Sequence, residues 1–542
     1  MKLIVFLSLF LSTLFSTTLD DKLNFIIHNQ PEILSAYDNE QKLIKELYKK
    51  NNNRPLWIGH AQNLNTLRQV LQNPYFNYKY KDFYQSQIEQ YTYLLHDGMD
   101  LNENSEALST LDILLTRAYI KLTKFIVVGD INWEMVQVKI MGLKEAKDIS
   151  ANWEMVRKPM PSTSQLFNGI INQDINGFLS SLIPSKEQYQ ELIGTLEFYR
   201  NLNNLERIKY AKDLRLGDEH PYIIPIKKRL ILSGDLHNKY NTTDVFDEDL
   251  QQAIYSYKDR FKLEQNALVD KVLVYYLNKP IHELTEKIIV NLDKLKVFPK
   301  QYPSEYIQVN IPDFKMNYYR NNESLLEMKA VVGKPERPTP IFSSYMTYLE
   351  LNPNWNIPEN LVRRDLIVAL QQNPNYLQEH NIHVFYGWKN KNEMKNFKPS
   401  MLFPYADTSK GHIPYRFVQY PGDDNALGRV KFMFPNKYAV YLHDTDNKSL
   451  FQYRYRVYSS GCMRLEKPFE LLEVLKSRLK QRDINLIPKY RSILKNKVLN
   501  FTEKLPVHTT YFTVFKRNGL TYFRKDIYEY DKFIKESEIK EF

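Results

Sequence analysis

Apolar residues recur at helical spacing through most of the first 210 positions. The clearest stretch is 108–126, where Leu111, Leu114, Ala118, Leu122 and Phe125 fall on one stripe; 40–48 and 64–71 repeat the pattern more briefly. This predicts a mainly helical amino-terminal region over 19–212, packed along that stripe. Residues 213–279 predict a second, smaller helical unit. Pro221 opens a helix with Ile223, Ile226 and Leu230 on one face, and Gly234, Asp235 and Leu236 interrupt it. Asp247 then caps a helix carrying Leu250, Ile254, Tyr257 and Phe261, and a third short helix ends at Leu277 and Asn278. Residues 280–302 read as a linking helix.

Beyond residue 303 strand-like runs appear. Residues 306–312 predict a strand, and 430–434 and 438–442 are β-branched and aromatic runs separated by Pro435, Asn436 and Lys437, a hairpin with a three-residue loop. Alternation along the second run places Ala439, Tyr441 and His443 on one face, with His443 at the strand end. Pro468 opens an amphipathic helix with Phe469, Leu472, Leu475 and Leu479 inward. Residues 507–514 and 520–524 read as a hairpin turning at Asn518 and Gly519. Between about 358 and 416 lies a long insertion, with a helical start at 360–371 and aromatic clusters around Tyr386 and Trp388 and around Phe403 and Tyr405. Such clusters most often form a small core of their own, while Tyr386 and Trp388 are also candidates to pack on a substrate. The fold class expected is multidomain α+β.

The chemistry concentrates between 438 and 464. Cys462 is the sole cysteine of 542 residues and His443 stands nineteen positions upstream, an arrangement suited to a nucleophile and its base. Ser459, Ser460 and Gly461 make the turn into the thiol, and Gly461 permits a backbone conformation in which adjacent N–H groups point at one spot beside the sulfur, as an oxyanion hole requires. Arg456 and Arg464 flank the thiol, where positive charge favours the thiolate and can hold a carboxylate. The competing interpretation is that Cys462 is one more small buried hydrophobe. The spacing of His443, Gly461 and the two arginines argues against it.

These residues carry a resemblance. His443, Asp444 and Thr445, then Phe451, Arg456 and residues 459–464, are similar to the signature of L,D-transpeptidase (YkuD-type) catalytic domains. Residues 419–432 and 352–358 resemble the large multidomain YcbB-like branch, with Ser460 standing where many members of the family have histidine. The resemblance implies a catalytic domain over 303–535, mostly β, with the 358–416 insertion as a capping subdomain that closes on substrate. It further implies that Cys462 takes the acyl group of a peptidoglycan tetrapeptide stem with loss of D-alanine, that His443 serves as base, and that a diaminopimelate amine then receives the acyl group. Gly461, Ser460, Ser459 and Asp444 would support the site; Arg464, Arg456, Tyr441, Trp388 and Tyr386 would meet substrate. Asp444 or a backbone carbonyl would orient His443. Residues 111–129 with Pro184, Tyr189, Leu192, Leu196 and Tyr199 resemble the scaffold region of that branch, and 213–279 resembles a three-helix peptidoglycan-binding domain, with a purely structural role as the alternative. Transfer to water, or a wall-binding protein with an inactive thiol, are the competing functions.

Composition adds location. Met1 and Lys2, an apolar run over 3–15, and polar residues to Thr18 read as a secretory signal peptide over 1–18, or an uncleaved anchor, which implies a periplasmic protein. Hydrophobic residues at 43% and aromatics at 13% are ample for packed cores in three or four domains. The net charge of +11 is dispersed, without a basic block or groove-reading motif, so no nucleic-acid partner is expected; anionic wall or membrane surfaces fit better. Expected partners are peptidoglycan stem peptides and glycan strands, and other cell-wall synthesis enzymes. His380 and His383 are the nearest approach to a metal pair and lack further ligands at recognisable spacing, so neither metal nor cofactor is expected.

Overall fold

The computed structural model describes residues 18–91, 100, 102–143, 151–202, 205–237, 242–389 and 392–540. Residues 1–17 of the expected signal peptide lie outside them. No described helix is long and apolar enough to cross a membrane.

The amino-terminal helices follow the apolar stripes. Asp38–Lys50, Ala61–Gln72 and Ser105–Val127 cover the three predicted stretches, and Leu111, Ala118, Leu122 and Phe125 of the last are fully buried. Ser105–Val127 buries polar residues as well. Asp112 accepts from Leu56 N (3.0 Å), Trp57 N (2.9 Å), Ile58 N (2.8 Å) and the Tyr48 hydroxyl (2.7 Å), so one carboxylate satisfies three backbone donors that no helix or strand could. The smaller unit holds three helices, Ile223–Leu232, Glu248–Arg260 and Lys271–Leu277, with Asp247 capping the second through Leu250 N (2.9 Å). The linking helix runs Ile281–Leu295.

Among the described residues fourteen strands follow: β1 (Glu305–Asn310), β2 (Lys315–Arg320), β3 (Glu323–Gly333), β4 (Ser343–Leu351), β5 (Trp355–Asn356), β6 (Ile382–Tyr386), β7 (Tyr415–Gln419), β8 (Val430–Met433), β9 (Leu442–His443), β10 (Val457–Ser459), β11 (Met463–Leu465), β12 (Lys497–Thr510), β13 (Val514–Arg517) and β14 (Leu520–Phe523). Nine of them share one sheet, ordered β10-β3-β11-β9-β8-β4-β12-β1-β2, and β2 also pairs with β3, so the sheet closes on itself. Its interior is filled by Val309, Met316, Ala330, Leu349, Phe432 and Leu442, which belong to a core continuous with that of the helices. The insertion stands apart: β5, β7 and β6 form their own sheet over a separate core of Val362, Leu366, Leu370, Val384, Leu402 and Phe417.

Two expected hairpins are corrected. The carboxyl-terminal one turns at Asn518 and Gly519 as expected, but pairs β13 with β14 alone, while residues 507–510 extend β12 into the closed sheet beside β1. The break is made by Asn310, whose amide donates to Phe512 O (3.0 Å) and accepts from Phe512 N (2.9 Å), drawing the chain out of the ladder. The hairpin before His443 has a longer loop, described below.

Replacing Asp112 by alanine strands three buried N–H groups, so Asp112→Ala is expected to destabilise the helical region by about 3–5 kcal/mol. Thermal unfolding monitored by tryptophan fluorescence, to which the adjoining Trp57 contributes, checks this. A melting temperature unchanged from wild type would refute it.

Candidate active site

β9 lies between β8 and β11, with Lys431 opposite His443 on one side and Arg464 opposite it on the other. The run before it is not a strand. Ala439 has φ 53°, and the Asn436 side chain takes over from a ladder: its Oδ1 accepts from Tyr438 N (3.0 Å) and Val440 N (3.2 Å), and its amide donates to Phe434 O and Val440 O, both 2.7 Å. Pairing begins only at Leu442. The loop so formed presents Ala439 O to Cys462 Sγ at 3.9 Å, and Tyr441 O accepts from Met463 N at 3.1 Å. Glu154, from the helical region, accepts from the Tyr438 hydroxyl (2.9 Å) and steadies the loop from outside.

The turn before Cys462 straddles the end of β3. β10 runs parallel to β3 at Val332 and Gly333, and β11 runs antiparallel to it at Val331 and Ala330. Gly461 sits at φ +115°; a Cβ there would meet Pro338 O only at 3.8 Å, so the demand for glycine is one of dihedral angle rather than space. Gly461 N donates to Ser459 Oγ (3.2 Å), and Ser459 Oγ donates to Cys462 O (2.5 Å). The Gly461 N–H is therefore engaged within the turn. Ser460 Oγ accepts from Arg337 (3.1 Å). Thr339 Oγ1 donates to Gly461 O (2.8 Å) and accepts from Gly333 N (2.9 Å).

Cys462, His443, Tyr441, Ser459, Ser460, Gly461 and Arg464 all line one cavity of about 430 Å³, within the range of small-molecule sites, roughly 300–1,000 Å³. The imidazole is buried, and the Tyr441 ring stands edge-on to it with centroids 5.5 Å apart. Burial, with the Arg464 cation next in weight, pushes His443 down to about 3, so the ring is neutral at ordinary pH and can accept a proton. Burial pushes the Cys462 thiol up; the Tyr441 backbone and the Lys431 and Arg464 cations favour the thiolate and hold that rise in check. The resting pair is neutral thiol and neutral imidazole.

The sequence of residues 304–488 matches the family of L,D-transpeptidase catalytic domains (YkuD), and residues 42–196 match a family described as a scaffold domain. A curated protein of Haemophilus influenzae (strain ATCC 51907 / DSM 11121 / KW20 / Rd) bearing the name "Putative L,D-transpeptidase" is 34% identical over 258 residues, 47% of this chain. Residues 304–488 are a YkuD-type L,D-transpeptidase catalytic domain. The chain spans half the length of that curated relative, 50%.

Other expected site residues of the transpeptidase domain lie elsewhere. Arg456 is buried and its guanidinium donates to Ala330 O (3.0 Å), Tyr453 O (2.9 Å) and Phe314 O (2.6 Å); it clamps β3 and is absent from the cavity lining, a correction to its expected contact with substrate. Asp444 accepts from Arg429 N (2.9 Å), Thr445 N (2.8 Å) and Lys448, so its carboxylate holds the loop beyond β9, while His443 Nδ1 is buried with no hydrogen-bond partner among the described residues. Tyr386 and Trp388 are 58% and 57% exposed and do not line the cavity. The insertion reaches it instead through Leu361, Arg364 and Asp365, the last two on a π-helical turn at Val362–Leu366 with Arg364 in a two-point pair to Asp365. Sequence reasoning missed that turn and Thr339, although a threonine between two prolines is a hydroxyl on backbone that cannot be helical.

The two shifts give an expected pH dependence. Alkylation of Cys462 by iodoacetamide, followed by mass spectrometry, should rise towards an inflection above the ordinary thiol value of 9.0, with no step at 6.5 from His443. Arg464→Gln should move the inflection further up. An inflection below the ordinary thiol value would show a thiolate–imidazolium ion pair instead.

Proposed function

We propose that the chain is a cysteine-dependent L,D-transpeptidase of the cell wall. The observation that carries this reading is the convergence of the lone thiol, a neutral buried histidine and Arg464 on one cavity inside a transpeptidase-family domain. In the first half-reaction Sγ attacks the stem-peptide carbonyl ahead of the terminal D-alanine, and His443 takes the thiol proton. The developing oxyanion is met by the Cys462 N–H, since the Gly461 N–H is engaged by Ser459. The C–N bond breaks, the proton passes from His443 to the leaving amine, and D-alanine departs, leaving a thioester. In the second half-reaction a diaminopimelate amine attacks the thioester, loses a proton to His443, and the thiol re-forms with the crosslinked product.

Arg464 supplies the charge that holds a stem carboxylate. Its Nη1 donates to Thr445 Oγ1 (3.3 Å), and its Nε is buried with no hydrogen-bond partner among the described residues. The insertion over 358–416 acts as a cap through Arg364 and Asp365, and Tyr441 forms the wall beside the thiol. The finer reading follows the same line: a YcbB-like arrangement of scaffold (19–212), peptidoglycan-binding-like unit (213–279), linking helix and catalytic domain (303–535), exported behind its leader to act on stem peptides and glycan strands beside other wall-synthesis enzymes. The three helices packed around Leu230, Ile254 and Leu273 support the second of these units as a fold.

Intact-mass analysis tests the chemistry. Wild type exposed to a carbapenem should gain one covalent adduct and Cys462→Ala none. With a disaccharide tetrapeptide, wild type should release D-alanine and accumulate crosslinked dimer. Shortened stem peptide without dimer would make water the acceptor, and no adduct at all would overturn the thiol mechanism.

A further inference from the structure

We propose that a second site, a polar groove on the β1–β2 side of the closed sheet, binds a neutral oligosaccharide. Two adjoining cavities of about 470 and 500 Å³ share Gln188, Gln308, Tyr319 and Asn322, so they form one elongated trough. β1 lies four strands round the sheet from β9, on a different wall from the thiol.

The floor is set by strand register. Tyr306 faces Tyr319 and Gln308 faces Asn317 across β1 and β2, and this two-residue period leaves Ile307, Val309 and Met316 to the core. Tyr302, Tyr306 and Tyr319 stack in a row, with centroids 5.0 and 4.9 Å apart, which lines up three phenols beside the amides. Burial pushes Tyr302 and Tyr306 further above the ordinary phenol value, so they remain neutral hydroxyls able to donate and accept. The start of the helix Lys186–Arg200 and the β13–β14 hairpin form the sides.

Two features select the ligand class. First, the trough carries buried hydrogen-bonding atoms with no partner among the described residues: Gln188 Oε1, an acceptor, and Arg517 Nη1, a donor. The remaining Arg517 nitrogens pair with Asp313 (2.6 Å) and Glu327 (3.4 Å). Unfilled groups of both kinds call for a ligand that donates and accepts along its length. Second, the charges offset. Lys186 and Lys300 line one end together with Glu187 and Glu191, and Lys516 and Arg517 line the other together with Asp313 and Glu327. A phosphate- or carboxylate-rich polymer meets no excess of positive charge there, whereas a chain of neutral hydroxyls and acetamides matches the amides and phenols along the trough. The assignment stands on the groove's own chemistry; with the transpeptidase reading above, the natural ligand is the glycan strand that carries the stem peptides.

The test is calorimetric titration of the full chain with chitotetraose, a β-1,4-linked N-acetylglucosamine oligomer. Saturable one-site binding is expected. Tyr319→Ala and Ser324→Arg, the latter an exposed β3 position at the groove's rim, should each weaken it about tenfold or more, with the rate of carbapenem adduct formation retained in both and the wild-type melting temperature retained in Ser324→Arg. Cys462→Ala should bind the sugar as wild type does, so loss of thiol chemistry and loss of sugar binding are read separately. Absence of binding up to roughly 10 mM, or binding undiminished in both groove variants, would overturn the proposal.

Discussion

One contact fixes the geometry on which the candidate site depends: the hydroxyl of Thr339 bonded to Gly461 O. The segment that brings it there is pressed against β3 so closely that a Cβ on Gly333 would lie 2.1 Å from Arg337 O and 2.7 Å from Thr339 N. Only glycine permits that approach. The approach is then locked from the carboxyl-terminal side, because the Tyr528 hydroxyl donates to Gly333 O (2.6 Å) and accepts from Thr339 N (3.3 Å), while Tyr528 N donates to the Tyr511 hydroxyl (2.8 Å). The chain of bonds from Tyr511 through Tyr528 and Thr339 to Gly461 is buried at each step. In such surroundings hydrogen bonds are strong and expensive to leave unmade. A turn held this way can keep Gly461 at φ +115° beside the thiol without loosening.

The same logic explains why the closed sheet extends past residue 488, where the match to the transpeptidase family ends. β12 supplies the strand between β4 and β1, and without it the sheet would have two open edges. Beyond it, Arg524 donates from Nε to Asp313 (2.6 Å) and from Nη1 to Arg260 O (2.7 Å), joining the sheet to the smaller helical unit. Asp313 is held well below the usual carboxylate range chiefly by Arg524 and Arg517, against the cost of its burial. Breaking either partner away would strand a buried charge, so the tail belongs mechanically to the catalytic region.

What the sequence revealed and what it hid divide along physical lines. Local periodicity located Ser105–Val127, the Asp247 cap and the Asn518–Gly519 turn, because each is decided by residues within one turn of the chain. The candidate thiol and histidine, which the structure brings to one cavity, stood out because reactive residue types are few: one cysteine leaves little to choose from. The placements that differ from the sequence reading were all decided at long range. Arg456 looked like a substrate cation but found Phe314 O, 142 positions away. Asp444 or a backbone carbonyl was the candidate to orient His443, and the Asp444 carboxylate accepts from Arg429 N across a loop. Tyr386 and Trp388 looked like substrate contacts, yet the π-helical turn at Val362–Leu366 brings Arg364 and Asp365 to the cavity instead. No periodicity announces a π turn of five residues.

The neutral thiol–imidazole pair follows from this packing. A pocket that buries the imidazole and sets the half-buried thiol beside it disfavours charge on each, so the ion pair seen as the resting state of many thiol enzymes is not the arrangement this pocket favours. Such a pocket has a use if the nucleophile must wait. A neutral thiol is slow to oxidise and to react with adventitious electrophiles, and a histidine held near 3 stays unprotonated, its lone pair free, at pH values above that. In the proposed reaction charge would appear only as the C–S bond forms, where Lys431, Arg464 and the Tyr441 backbone are already positioned to favour the thiolate. Stabilisation that is small in the resting state and larger in the transition state is the kind that accelerates a reaction rather than merely binding its substrate.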